Sequence, residues 1–105
     1  MKHTICVEMR NMVLSKFPVR VVKGLRFRLP KPLREKYNIE QGDFVVLTIE
    51  KEDSKITRTF KVSSDGLIYI PQEIAQEIGM KDGDLIDVSL LECIHISPDP
   101  IVVVE

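Results

Sequence analysis

The chain has no tryptophan, and two tyrosines and four phenylalanines are its whole aromatic content. Of the two tyrosines Tyr37 falls on a buried helical face, so a single outward ring gives only weak evidence for base stacking. Its two cysteines, Cys6 and Cys93, stand at opposite ends of the sequence with no CxxC spacing, so both read as reduced, buried, small apolar residues rather than a disulfide. Cys93 and His95 would project from one face of a strand, but only Cys6 and His3 remain to complete a zinc set, and a metal is not expected. The five glycines form no phosphate-cradling loop. Neither His3 nor His95 has a partner motif for nucleophilic catalysis. The protein is read as non-enzymatic, with no catalytic residue and no cofactor. No apolar run approaches the roughly 20 residues of a membrane span, and Met1 to Thr4 opens no apolar signal segment. A cytoplasmic protein without membrane partners is expected.

A dominant charge is also lacking, since the formal net charge is -1. The average hides a strong segregation. Residues 1–36 hold ten lysines and arginines against Glu8 and Glu35, a balance of +8, whereas residues 37–105 hold five against fourteen acidic residues, a balance of -9. Such segregation can define a binding face if folding keeps the first segment on one side.

What the chain does have is repetition. Leu29-Pro30 is followed by Gly42-Asp43, and Ile70-Pro71 by Gly83-Asp84, at a constant offset of 41 residues. Apolar positions match between them: Leu33 with Ile74, Tyr37 with Ile78, Ile39 with Met80. At 105 residues, two copies of about forty cannot each hold a core, so they must interlock in one domain. Repeat one is placed at about 4–52 and repeat two at about 55–97.

Thr4 to Val22 reads as one or two strands, with a break near Lys16 to Pro18. Leu25 to Leu29 alternates strictly, sending Leu25, Phe27 and Leu29 inward and Arg26 and Arg28 outward. Pro30 and Pro32 open a short helix whose Leu33 and Tyr37 share the buried face. Asn38 closes it, as Gly79 closes its counterpart. The Gly-Asp pairs lead into strands Phe44 to Ile49 and Leu85 to Leu90, with Asp43 and Asp84 as turn-stabilising acceptors rather than a catalytic pair. Glu52 to Ser54 turns the first of these into Ile56 to Val62, and Asp65-Gly66 leads into Leu67 to Ile70. Cys93 to Val104, broken by Pro98 and Pro100, is a candidate edge strand. The expected fold is mainly β: a small closed pseudo-twofold β-barrel of two β-β-α-β repeats with two short helices.

The segment GLRFRLPKPLREKYNIEQGDFVVLTIE resembles the AbrB/SpoVT-type transition-regulator domain, and DGLIYIPQEIAQEIGMKDGDLIDVSLLE is a second match. The resemblance covers about half of the chain. It implies tandem copies closing a swapped-hairpin barrel within one chain, or a related cradle-loop barrel such as the RIFT barrel. It also implies DNA binding by a transcription regulator through arginines near the strand turn and on the helix, matched here by Arg26 and Arg34. Their counterparts in the second copy are Leu67 and Ala75, so a symmetric grip is not expected.

Together these give a candidate DNA-binding patch of Arg20, Lys23, Arg26, Arg28, Lys31 and Arg34, in a monomer or a homodimer. The alternative is a non-catalytic interaction module that binds a protein, antitoxin-like or adaptor. RIFT barrels include archaeal nucleotide-dependent riboflavin kinases, but the chain shows no phosphate loop for that chemistry. Tyr69 faces outward at the register of Arg28, as one aromatic without basic neighbours in sequence.

Overall fold

A computed structural model describes residues 13–95. The strand expected before Val13, Cys6, His3 and the tail from Ile96 lie outside those residues. The elements are β1 (Ser15–Arg20), β2 (Arg26–Arg28), α1 (Lys31–Lys36), β3 (Phe44–Lys51), β4 (Ser54–Lys61), a 3-10 turn (Ser64–Gly66), β5 (Leu67–Tyr69), α2 (Gln72–Ile78) and β6 (Leu85–Ile94).

The offset of 41 carries β1 onto β4, β2 onto β5, α1 onto α2 and β3 onto β6, and it holds at the level of single hydrogen bonds. Val21 donates its N–H to the Asp84 carbonyl and Val62 to that of Asp43, both at 2.8 Å. Leu29 donates to the Gly66 carbonyl at 2.9 Å and Ile70 to that of Leu25 at 2.8 Å. Each Gly-Asp aspartate accepts the backbone N–H three residues before it, Glu40 on Asp43 and Lys81 on Asp84, both at 2.9 Å. This is the turn-closing role expected of both carboxylates. The helices also close alike, on left-handed residues Asn38 (φ 54) and Gly79 (φ 70).

The four-stranded sheet has the order β1-β6-β3-β4, and β2 pairs with β5 in a separate two-stranded ribbon, all antiparallel. Each of these pairings joins a strand of one copy to a strand of the other. The copies interlock because their apolar faces are inseparable: Val45, Leu47 and Ile49 of β3 are fully buried beside Val88 and Leu90 of β6, with Phe27 and Ile68 of the ribbon in the same core. Burying side chains of this kind contributes about 1.5–3 kcal/mol each. From the helices, Leu33, Ala75 and Ile78 join them.

The expected barrel is not closed. β1 and β4 are the two edges of the main sheet, and the ribbon meets the chain just beyond them only at single points, a Val22–Arg26 bridge and the Ser63 N–H on the Leu67 carbonyl, with no continuous ladder. β2 and β5 have three residues each, bounded by left-handed turns at Gly24-Leu25 and Asp65-Gly66 and by Leu29-Pro30 and Ile70-Pro71. Strands so short cannot pair with each other and also extend ladders to both sheet edges.

Two other differences have local causes. β1 runs through Lys16 to Pro18 without the expected break, because it is an edge strand: Val21 directs its N–H to β6, so by alternation Pro18 faces the free side, where a missing donor costs nothing. β6 continues to Ile94 because Leu91 is an extra residue between the pairs Leu47–Leu90 and Val46–Glu92, a bulge that keeps the ladder going. Cys93 thus belongs to a central strand, half-buried against the core, and not to an edge strand. Among the described residues no helix is long and apolar enough to cross a membrane.

Candidate nucleic-acid interface

The ribbon positions the site. In β2 the buried Phe27 fixes the pleat, so Arg26 and Arg28 share the opposite, outward face. The register sets Tyr69 opposite Arg26 and Leu67 opposite Arg28. Tyr69 is 49% exposed, and the Arg26 guanidinium lies 5.8 Å from its ring centroid, within cation–π range. The sequence reading left this tyrosine without a basic neighbour. The antiparallel register supplies one from 43 positions away, and the only sequence signal for it is the offset itself, which makes β2 and β5 equivalent strands.

The other candidate residues divide. Arg28 donates from Nε to the Asp65 carbonyl at 3.0 Å and faces the Asp65 carboxylate at 3.9 Å, both side chains more than half exposed. Such an exposed pair is worth 0–1 kcal/mol, so a phosphate can displace it. Arg34 is held differently. Its Nε donates to the Leu29 carbonyl at 3.1 Å in a partly buried setting, and its side chain lies across Gly66, where an added Cβ would come within 2.4 Å of Cδ. It builds the second copy's turn instead of facing solvent.

Arg20 and Lys23 lie where the chain passes from β1 into β2. Arg20 donates from Nη1 to the Gly83 carbonyl at 2.9 Å. Beside Lys23, the Asp82 carboxylate accepts the N–H groups of Gly24 at 3.3 Å and Leu25 at 3.0 Å, pinning a turn in which Leu25 has φ 56. That corner carries negative as well as positive charge. Lys31 is exposed at the start of α1. The structure therefore brings Arg26, Arg28 and Tyr69 onto one face, leaves Lys31 exposed, and turns Arg34 and Arg20 toward the protein's own carbonyls.

The aspartates that the sequence marks out are clamped, each by a side chain at the end of a long strand of the other copy. Lys51 Nζ stands 3.0 Å from Asp84 Oδ2 and also donates to the Gly79 carbonyl at the end of α2. The Lys51 ammonium, with the Lys81 N–H, holds the Asp84 carboxyl below the usual carboxylate range. His95 Nδ1 lies 2.9 Å from the buried Asp43. Burial, and then the nearby Asp43 charge, raise the Cys93 thiol, which keeps it protonated and poorly nucleophilic.

An interlocked two-copy β-sheet protein with a short basic ribbon is the class that fold and site define. Among solved structures, the chain is similar to the solution structure of PHS018 from Pyrococcus horikoshii, at 37% identity over 82% of this chain and 98% of that chain, with a TM-score of 0.73. The chain belongs to the same family as PHS018. No family model and no curated protein matches it.

Proposed function

We propose that the protein is an AbrB-like DNA-binding protein, a transcriptional regulator that engages duplex DNA with the outward face of the β2–β5 ribbon. The observation that carries this reading is the side-by-side display of Arg26 and Arg28 on a two-stranded antiparallel ribbon. The major groove admits such a ribbon, and guanidinium forks suit both phosphates and guanine edges. Lys31 and Lys23 are cations for flanking phosphates, which position the protein without reading sequence.

Fluorescence anisotropy with random-sequence duplex and single-stranded DNA, from low to physiological salt, tests the reading. With about four phosphates engaged, the log-log salt slope is expected near -3 to -4. The double variant Arg26→Ala/Arg28→Ala should weaken binding at least tenfold and flatten the slope. Arg34→Ala should leave the slope unchanged while lowering stability. No binding to duplex at low salt would overturn the proposal, and unchanged binding by the ribbon variant would remove the ribbon from it.

A further inference from the structure

Because the two copies share one backbone plan, a place where their side chains close differently is informative. Between β1 and α1 lies a shallow groove of about 280 Å³ lined by Ser15, Phe17, Pro30, Pro32, Leu33 and Lys36. The offset of 41 carries Phe17 onto Arg58 and Lys36 onto Glu77. In the second copy these two close the equivalent place, with Arg58 Nη2 3.5 Å from Glu77 Oε1 across β4 and α2. In the first copy the cation is replaced by a phenylalanine packed against the core and the anion by a lysine. Lys36 lies 5.4 Å from the Tyr37 ring centroid and has no carboxylate partner among the described residues. Among the described residues the groove is thus left unbridged, with an apolar floor and one ammonium at its rim.

We propose that this groove binds an acidic peptide segment, with a bulky apolar side chain between Phe17, Pro30, Pro32 and Leu33 and a neighbouring carboxylate on Lys36. Charge complementarity selects the partner, since Lys36 stands at the rim with no carboxylate partner among the described residues and Lys31 adds a second exposed cation to α1, against Glu35 alone. The groove is at the small end of ligand sites, so it takes a single side chain rather than a folded surface. Pro30 and Pro32 offer it rigid walls without N–H donors. Recognition therefore rests on shape and a single charge. It goes beyond the nucleic-acid reading and uses neither Arg26 nor Arg28.

The test is an NMR titration of the full chain, following backbone amides, with the peptide acetyl-Asp-Phe-Glu-amide and with acetyl-Lys-Phe-Lys-amide as control. Saturable shifts at Phe17, Leu33 and Lys36 are expected with the acidic peptide only. Lys36→Glu should weaken binding at least tenfold. Phe17→Arg/Lys36→Glu, which installs the second copy's ion pair, should abolish it. No shifts at the groove, equal shifts with the basic peptide, or full binding by a folded Lys36→Glu variant would each overturn the proposal. If the paired variant fails to fold, the exposed Lys36→Glu substitution still decides it.

Discussion

Gly66 and Arg34 show how a residue with a functional resemblance is spent on structure. Gly66 has φ 74, a region that other residues enter at a cost, and the Arg34 side chain covers it closely. Gly66→Ala is expected to destabilise the protein by about 2 kcal/mol, part from backbone strain and part from displacing Arg34. In an Arg34→Ala background the same change should cost about 1 kcal/mol, since only the strain remains. A double-mutant cycle by urea unfolding measures the difference, and strict additivity would show that the two do not touch. The arginine pattern around Pro30 was legible in the sequence. The direction each side chain takes was not, because a carbonyl at the strand end and a glycine from the other copy decide where Arg34 goes.

At the scale of elements, Lys51 ties together the end of β3, the C-terminus of α2 and the start of β6 through Asp84 and the Gly79 carbonyl. Asp84 has a lowered pKa in the fold, so the native state binds fewer protons than the unfolded chain near that pH. Its contribution to stability is present above the ordinary value of 3.8 and is lost as the pH falls through the depressed folded value. Asp84→Asn is therefore expected to be less stable than the wild type at pH 7, with the gap narrowing as the pH falls below that of an ordinary carboxylate. Thermal unfolding from pH 7 to pH 2 checks this, and a gap independent of pH would contradict it. Spacing and turn chemistry disclosed the elements themselves, from the alternating strand around Phe27 to the left-handed closures at Asn38 and Gly79. Barrel closure was misjudged because it depends on where three-residue strands stop, which periodicity does not record. The pairing of Arg26 with Tyr69 was hidden for a related reason: cross-strand register is a property of two strands, and neither sequence segment contains it.

For the molecule as a whole, the decisive fact is that the pairings of both sheets run between the copies. Residues 1–52 and 53–105 expressed separately should each lack a cooperative unfolding transition at micromolar concentration, and mixing them should restore it. Circular dichroism of the separate and mixed fragments is the measurement. A half that unfolds cooperatively as a monomer would mean that pairing within one copy can substitute for pairing between copies. The same arrangement explains why the charge segregation of the sequence fades in three dimensions. Interleaving places Asp65, Asp82 and Asp84 among the first copy's arginines and lysines, and among the described residues the outward ribbon and α1 keep a basic character.

The central place of β6 has a further consequence, in the order of events during synthesis. β6 lies between β1 and β3, and its residues are translated after both. Until Leu85–Ile94 has left the ribosome, β1 has no ladder to join and β3 has only the β4 hairpin. With most contacts far apart in sequence, closure is a slow, non-local step. The nascent chain must carry β1 and β3 incompletely paired until β6 has been made, and Pro18 in β1 and the lysines of β4 then guard those strands against pairing with other chains.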